Sequence, residues 1–568
     1  MLRLTVVAAA LSFAACQCTT RASEHTYACV GDADCAEGFT CVALVCTLHG
    51  GTAGGGEATA GGGAPAGGGT AGGNTTAGGG ASAGGGAATA GGGMGTGGGV
   101  PPTSLVFTTT PPSPLPAGTC FPAIVEARLG ASPQAVTVDS PIGLTAASDA
   151  GVGARFYASS NCATSVSAVT LSANQSTAAF WVKPITGGAV TVAADTSFGQ
   201  ATQNLTVLPA VRRGSNCGFQ TAMTTDDGGS VPDTFSSCTI APAQLDTAHT
   251  VVFFQATTSG GGVEGFEIRC RMTNTTTIAC DRNGGGPSAP IHWQTLELPT
   301  GLNVQRGIRT CESPGPIVLT LPTPVVQQNS FVLLSMRGVG DLDDDNLYVA
   351  SLTSPTRLEL AYGLDAGNSS CNFGQLEWQV AELSGLTVST GYEPDPLPVG
   401  EAQYLRMGLS PVGPNTALLT QLRTINLNDA VCRTMVRTSM PSPSSIAASR
   451  GAGNDAGCVA GPILQLAWQR LDFGSRGSVQ TRTVTMESGD STQNVTISPV
   501  DVTRTLVFAS SQAAAGQSSG ETNYAGGGHL FGEGAARLEL VGPTTVRVQR
   551  SRSSNRGVIT FYVVEIEP

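Results

Sequence analysis

The sequence predicts an all-β protein: tandem β-sandwiches, a first one over residues 103–208 and four built as repeats of about 90 residues, following a glycine-rich linker. Three observations carry that prediction. From residue 103 onward, short runs of alternating or continuous apolar residues recur about every ten positions, with turn residues between them and no helical period. A Trp-Gln pair with an acid four residues after the Trp returns down the chain. The cysteines fall into even-numbered groups along the same divisions.

Residues 1–15 have a basic start at Arg3, an apolar stretch and small residues leading to Cys16, the pattern of an export signal. The tetrad Phe13-Ala14-Ala15-Cys16 resembles a bacterial lipobox, which implies acylation of Cys16 and attachment to a membrane through lipid; ordinary cleavage near Ala15 is the alternative. No other window approaches the roughly 20 apolar residues of a membrane helix. An exported chain with 16 cysteines is expected to form disulfides. In residues 16–49, Cys29, Cys35, Cys41 and Cys46 crowd into a stretch too small to bury a core, so two bridges would staple it, with Cys18 left over. Intervening gaps of five, five and four residues differ from the paired C-x2-C spacing of a zinc site. The module resembles the small cysteine-rich segments near the N-termini of Gram-negative surface lipoproteins, which implies export to the outer membrane or cell surface.

Residues 50–102 are glycine triplets joined by Ala and Thr, with Glu57 the only charge. Such a composition cannot bury enough apolar surface to offset its ordering entropy and predicts a disordered leash. Residues 103–208 carry short strands, a Cys120 and Cys162 pair and Trp181, and resemble bacterial Ig-like domains.

The repeats follow. IHWQTLEL, LEWQVAEL, LAWQRLDF and ITFYVVEI align the aromatics Trp293, Trp378, Trp468 and Phe561 with the acids Glu297, Glu382, Asp472 and Glu565. The aromatics stand 85, 90 and 93 residues apart, and the units run 209–298, 299–385, 386–473 and 474–568. Their cysteines number four (Cys217, Cys238, Cys270, Cys280), two (Cys311, Cys371), two (Cys432, Cys458) and none, so bridges are expected within units. Along the Trp strand the apolar parity changes, which a bulge, a strand shared between sheets or burial on both faces would explain. The aromatics are expected as core anchors; an exposed ring stacking on a sugar is the other reading. The unit is similar in outline to the H-type lectin fold, although no sugar-binding motif of that family matches here.

Composition excludes one class of partner. With a net charge of -12 and no basic run, the chain has no surface for phosphate recognition, and no nucleic-acid partner is expected. Asp341, Asp343 and Asp345 alternate as at the start of a calcium loop, but Asn346 stands where an EF-hand needs Gly and Leu352 where it needs Glu. The five histidines are scattered, and no nucleophile elbow, zincin, P-loop or dinucleotide motif is present, so neither catalysis nor a cofactor is expected. The expected function is extracellular binding or adhesion toward a glycan or cell-surface partner. A structural envelope protein and a secreted hydrolase with accessory repeats are the alternatives.

Overall fold

The protein is described by a computed structural model that covers residues 100–568 outside 150, 220–222, 225–229, 232–234, 259–266, 283–287, 311–315, 339–346, 363–372, 399–402, 425–433, 452–462, 511–519 and 524–530. Before residue 100 it describes two strands, Phe39–Val42 and Val45–Leu48, an antiparallel hairpin in which Cys41 and Cys46 are backbone partners. The signal segment, Cys16, Cys18, Cys29, Cys35 and the glycine-rich linker lie outside the described residues, as do the side chains of Cys41 and Cys46.

Residues 104–208 form two packed sheets, as alternation requires: in Phe121–Leu129, Phe121, Ala123, Val125 and Ala127 are buried and their neighbours are not. Cys120 and Cys162 are bonded. The strand Thr177–Pro184 buries Ala178, Phe180 and Val182, so Phe180 is the central aromatic, edge-on to Phe107 and Phe156 at 6.3 and 6.0 Å. Trp181, one position out of parity, is only half-buried.

Each of the four repeats is a sandwich of six main strands running up and down. The first, sixth and third strands form an inner sheet in that order; the second, fifth and fourth form an outer sheet. The first strands are Val211–Phe219, Leu302–Thr310, Thr387–Leu397 and Gly477–Met486. The third are Thr250–Ala256, Ser330–Gly338, Thr416–Thr424 and Thr505–Ala509, and the sixth are Ala289–Glu297, Phe373–Leu383, Ile463–Asp472 and Arg556–Ile566. The sixth strand, which carries the aromatic and the acid, is therefore central in the inner sheet. Its parity change has a simple cause, because both of its faces are buried: in Ala289–Glu297 every residue but Pro290 is buried.

One face holds the aromatic inside its own sandwich. Trp293 packs with Phe254, Ile278 and Cys280, and Trp378 with Leu334, Leu358 and Leu360. The other face meets the inner sheets of neighbouring repeats in a shared hub. There Phe253 stacks on Phe331 at 6.4 Å and on Phe508 at 5.5 Å, and Phe508 meets Tyr562 at 6.1 Å. Residues of all four inner sheets join one continuous core with those of the Ig-like sandwich.

Strand direction orders the two ends of this head. The turns between repeats gather at one end, where Arg476 Nη1 donates to the Ser384 carbonyl at 2.7 Å and Nη2 to that of Glu567 at 3.2 Å. The Ig-like sandwich docks there, through Arg155 to Glu567 at 2.8 Å, Pro568 over Gly118, and the Gly187 amide on Thr503 Oγ1 at 2.9 Å. In each repeat, the connections from first to second, third to fourth and fifth to sixth strand start and finish at the opposite end.

The first strand shows how tightly the aromatic is seated. Gly214, Gly307 and Gly391 are the cross-strand partners of Trp293, Trp378 and Trp468, and each lies under an indole ring. A methyl group at Gly214 or Gly307 would stand 2.6 or 2.7 Å from the ring, and one at Gly391 closer still. In the fourth repeat the aromatic is the smaller Phe561 and its partner is Arg482. Glycine is thus required by the size of the facing ring. We expect Gly391→Ala to cost about 1–3 kcal/mol in urea unfolding, the range for overpacking. Adding Trp468→Phe should recover part of that loss; a double variant no more stable than the sum of the two single losses would contradict the pairing.

Candidate functional site

The repeated Trp-Gln-acid strand was the leading candidate from the sequence, and the structure gives its three positions separate roles. The aromatics are buried: Trp293 is 2 % exposed, Trp378 6 %, Trp468 7 % and Phe561 0 %. Trp293 Nε1 donates to Asn216 Oδ1 at 2.9 Å and Trp468 Nε1 to Glu393 Oε1 at 3.3 Å, so neither indole presents a face to solvent.

The glutamine that follows points the other way, across a seam to the next repeat. Gln379 Nε2 donates to the Val252 carbonyl and its Oε1 accepts the Val252 amide, both at 3.1 Å. Gln469 does the same to Val332 at 2.9 and 2.7 Å, and Gln294 to Val507 at 2.5 and 2.9 Å. In each case one side-chain amide pairs with both backbone groups on the outer edge of a third strand. Repeat two grips repeat one, three grips two, and one grips four, so the array closes on itself.

Further polar contacts follow the same cycle. Gln255 accepts the Leu538 amide at 2.8 Å and Gln421 that of Ala350 at 2.7 Å. Arg213 donates to the Thr505 carbonyl at 2.5 Å, and Arg306, in the equivalent position, to that of Thr250. The seam between repeats four and three is different. Tyr562 replaces the glutamine, and its hydroxyl is fully buried with no partner among the described residues. Thr420 donates to the Ser510 carbonyl at 2.8 Å and Ser510 to that of Thr438.

The acid ends the strand as a clasp for the turn that enters the third strand. Glu297 accepts the Leu245 and Asp246 amides at 2.5 and 3.0 Å and pairs with buried Arg212 at 2.7 Å. Asp472 accepts the Gly413 amide at 2.8 Å; Glu565 accepts that of Asp501 at 3.3 Å and pairs with Arg504 at 2.6 Å. Glu382 has no such partner among the described residues.

Two titratable groups occupy the position before the Trp, facing the seams. His292 is pushed down to about 3, first by burial and then by Arg213 and Arg537, with Ser215 Oγ 3.0 Å from Nδ1 and Nε2 without a partner. Glu377 is pushed up to about 7, chiefly by burial, against the opposing pull of Arg306, Arg269 and Arg271, and with Asp281 adding to the rise. One carboxylate oxygen of Glu377 and the hydroxyl of its cross-strand partner Ser335 are buried without partners. The third and fourth repeats carry Ala467 and Thr560 in this position, so the pair is not a shared catalytic arrangement.

Of the sulfurs, Cys217 bonds Cys238 and Cys270 bonds Cys280, both within the first repeat. Cys311, Cys371, Cys432 and Cys458, and the alternating Asp341, Asp343 and Asp345, lie outside the described residues. Among the described residues no cluster of His, Cys, Asp and Glu stands ready to hold a metal, and no helix is long and apolar enough to cross a membrane. The chain matches no family model and no curated protein.

His292 and Glu377 give opposite pH dependences. Histidine is neutral in the fold but takes a proton on unfolding below about 6.5, so its contribution to stability is lost as pH falls from 6.5 toward 3. Glu377 keeps its proton in the fold up to about 7 and loses it near 4.5 when unfolded, so its contribution is lost as pH rises between those values. Between pH 4.5 and 6.5 the two slopes oppose each other. We expect Glu377→Gln to leave stability rising with pH there, and His292→Gln to leave it falling, each by up to about 1.4 kcal/mol per pH unit in denaturant titrations. Equal, flat profiles for both variants would contradict the assignment. Separately, Tyr562→Phe should raise stability by about 1 kcal/mol by removing an unpaired buried hydroxyl, and a loss on the same scale would show that the hydroxyl is satisfied.

Proposed function

We propose that the chain is an exported, lipid-anchored surface protein whose four-repeat head acts in extracellular binding or adhesion, toward a glycan or another cell-surface partner. One observation carries this reading: the repeats close into a ring by polar clamps between them. The ring fixes four copies of one strand plan so that their longer connections leave from a single end. The Ig-like sandwich occupies the other end, on the side of the chain that leads back to the glycine-rich stretch and Cys16. That layout suits a rigid module presented outward, with several weak contacts adding through effective concentration. The fold itself assigns no activity, since sandwiches host many functions.

Two measurements on the same protein test the proposal. Labelled palmitate should enter the native chain and not Cys16→Ser, and protease added to intact cells should remove the head. Saturable binding of residues 96–568, a compact unit, to intact cells should exceed that of an unrelated β-sandwich. Palmitate incorporation that persists in Cys16→Ser would refute the anchor, and binding no better than the control would refute adhesion.

A further inference from the structure

We infer that a cleft between the first and second repeats binds a neutral, hydroxyl-rich ligand of the sugar class, with Glu382 and Asn303 as the recognising pair. The cleft has a volume of about 470 Å³. Its floor is one end of the second inner sheet, where Asn303 and Glu382 are cross-strand partners. Thr247 and Ala248 of the first repeat form one wall, and the Pro322-Thr323-Pro324 turn forms the other.

Comparison of the repeats isolates what is unusual. Glu297, Asp472 and Glu565 all spend their carboxylates on turn amides of their own repeats. Glu382 occupies the same position in the same strand, yet it has no hydrogen-bond or ion partner among the described residues, and neither does the Asn303 side chain. In this repeat the turn is held by other means. Gln305 Nε2 donates to the Thr323 carbonyl at 2.8 Å and its Oε1 accepts the Thr323 amide at 3.0 Å. Gln480 fastens the fourth repeat's turn identically, to Ser498, but there Glu565 is also engaged. The second repeat therefore keeps the clasp and releases the acid.

The walls are fixed before any ligand arrives. His249 Nδ1 stands 2.5 Å from the Leu302 carbonyl and Arg306 donates to that of Thr250, which together lock the two repeats across the cleft. With the walls already fixed, binding has only the Glu382 and Asn303 side chains to order, which suits a small ligand. A carboxylate accepts two hydroxyl protons, and the adjacent amide both donates and accepts, a set that fits vicinal hydroxyls. Arg306 lines the same cleft and brings a cation to its wall, which disfavours a cationic ligand. The proline rings offer C–H surface to the apolar face of a pyranose.

The inference rests on the reading of the head as a binding module, but the two fail separately. Saturation-transfer NMR on the full chain with methyl α-mannopyranoside, methyl β-galactopyranoside and N-acetylglucosamine tests it, with spermidine as the cationic probe. At least one sugar should bind saturably at millimolar concentration, weakened about tenfold or more in Glu382→Gln and in Asn303→Ala. Glu382→Gln should leave Tm unchanged, whereas Glu297→Gln should lower it, since of these two acids Glu297 alone holds its own turn. Sugar binding that is absent, or that survives both variants, would overturn the assignment even if the head still bound cells. So would a preference for spermidine, or a fall in Tm for Glu382→Gln matching that of Glu297→Gln.

Discussion

The structure depends on how each third strand ends its sheet. That strand is an edge, and an edge carries a row of backbone amides and carbonyls that must find partners once water is excluded. Here the edge is buried in a seam between repeats, where an unpaired group costs about 1–3 kcal/mol. Another strand could satisfy it, but the sheet would then continue into the neighbour and the repeats would merge. A glutamine amide satisfies both groups of one residue and stops there. The seam is closed by side chains, so each sandwich stays a separate unit while its edge is protected.

Much else follows from that choice. The glutamine must come from a strand buried on both faces, which places it in the centre of the inner sheet and puts the Trp one position away, on the opposite face. A ring as large as indole fits against the neighbouring strand only where that strand has glycine. The sixth strand must also be held in register, and in the first, third and fourth repeats the acid at its end does this by capturing the turn that leads into the third strand. Contacts are unevenly shared among the seams. The one between repeats one and four, which no chain connection spans, has Gln294, Arg213 and Gln255 across it. Between repeats four and three Tyr562 stands in place of the glutamine and meets Phe508 of its own repeat, and the hydroxyls of Thr420 and Ser510 cross the seam instead.

The all-β class, the four-unit layout and the placement of the repeated strand were legible because strand alternation and repetition leave direct marks on sequence. Trp293, Gln294 and Glu297 could be aligned with their counterparts by eye. What the glutamine does could not be read, because its partner in each case lies in a different repeat, 127, 137 or 213 residues away. A signal was nevertheless present: glycine recurs in the first strand wherever the aromatic is Trp and gives way to Arg482 where it is Phe561. In the Ig-like segment the inward parity belongs to Phe180 and not to the neighbouring Trp181. The release of Glu382 was invisible, because its sequence context matches that of acids whose carboxylates are engaged.

Closure of the ring by side-chain amides is tested most directly by amide hydrogen exchange in the seam that no connection spans. In the native chain the Val507 amide should be as well protected as those of Val252 and Val332, although it donates to the Gln294 side chain and not to a neighbouring strand. Gln294→Ala should deprotect Val507 by about tenfold or more, with Val332, two seams away, affected less. A Val507 amide that exchanges at the same rate with and without the Gln294 side chain would contradict closure by these clamps.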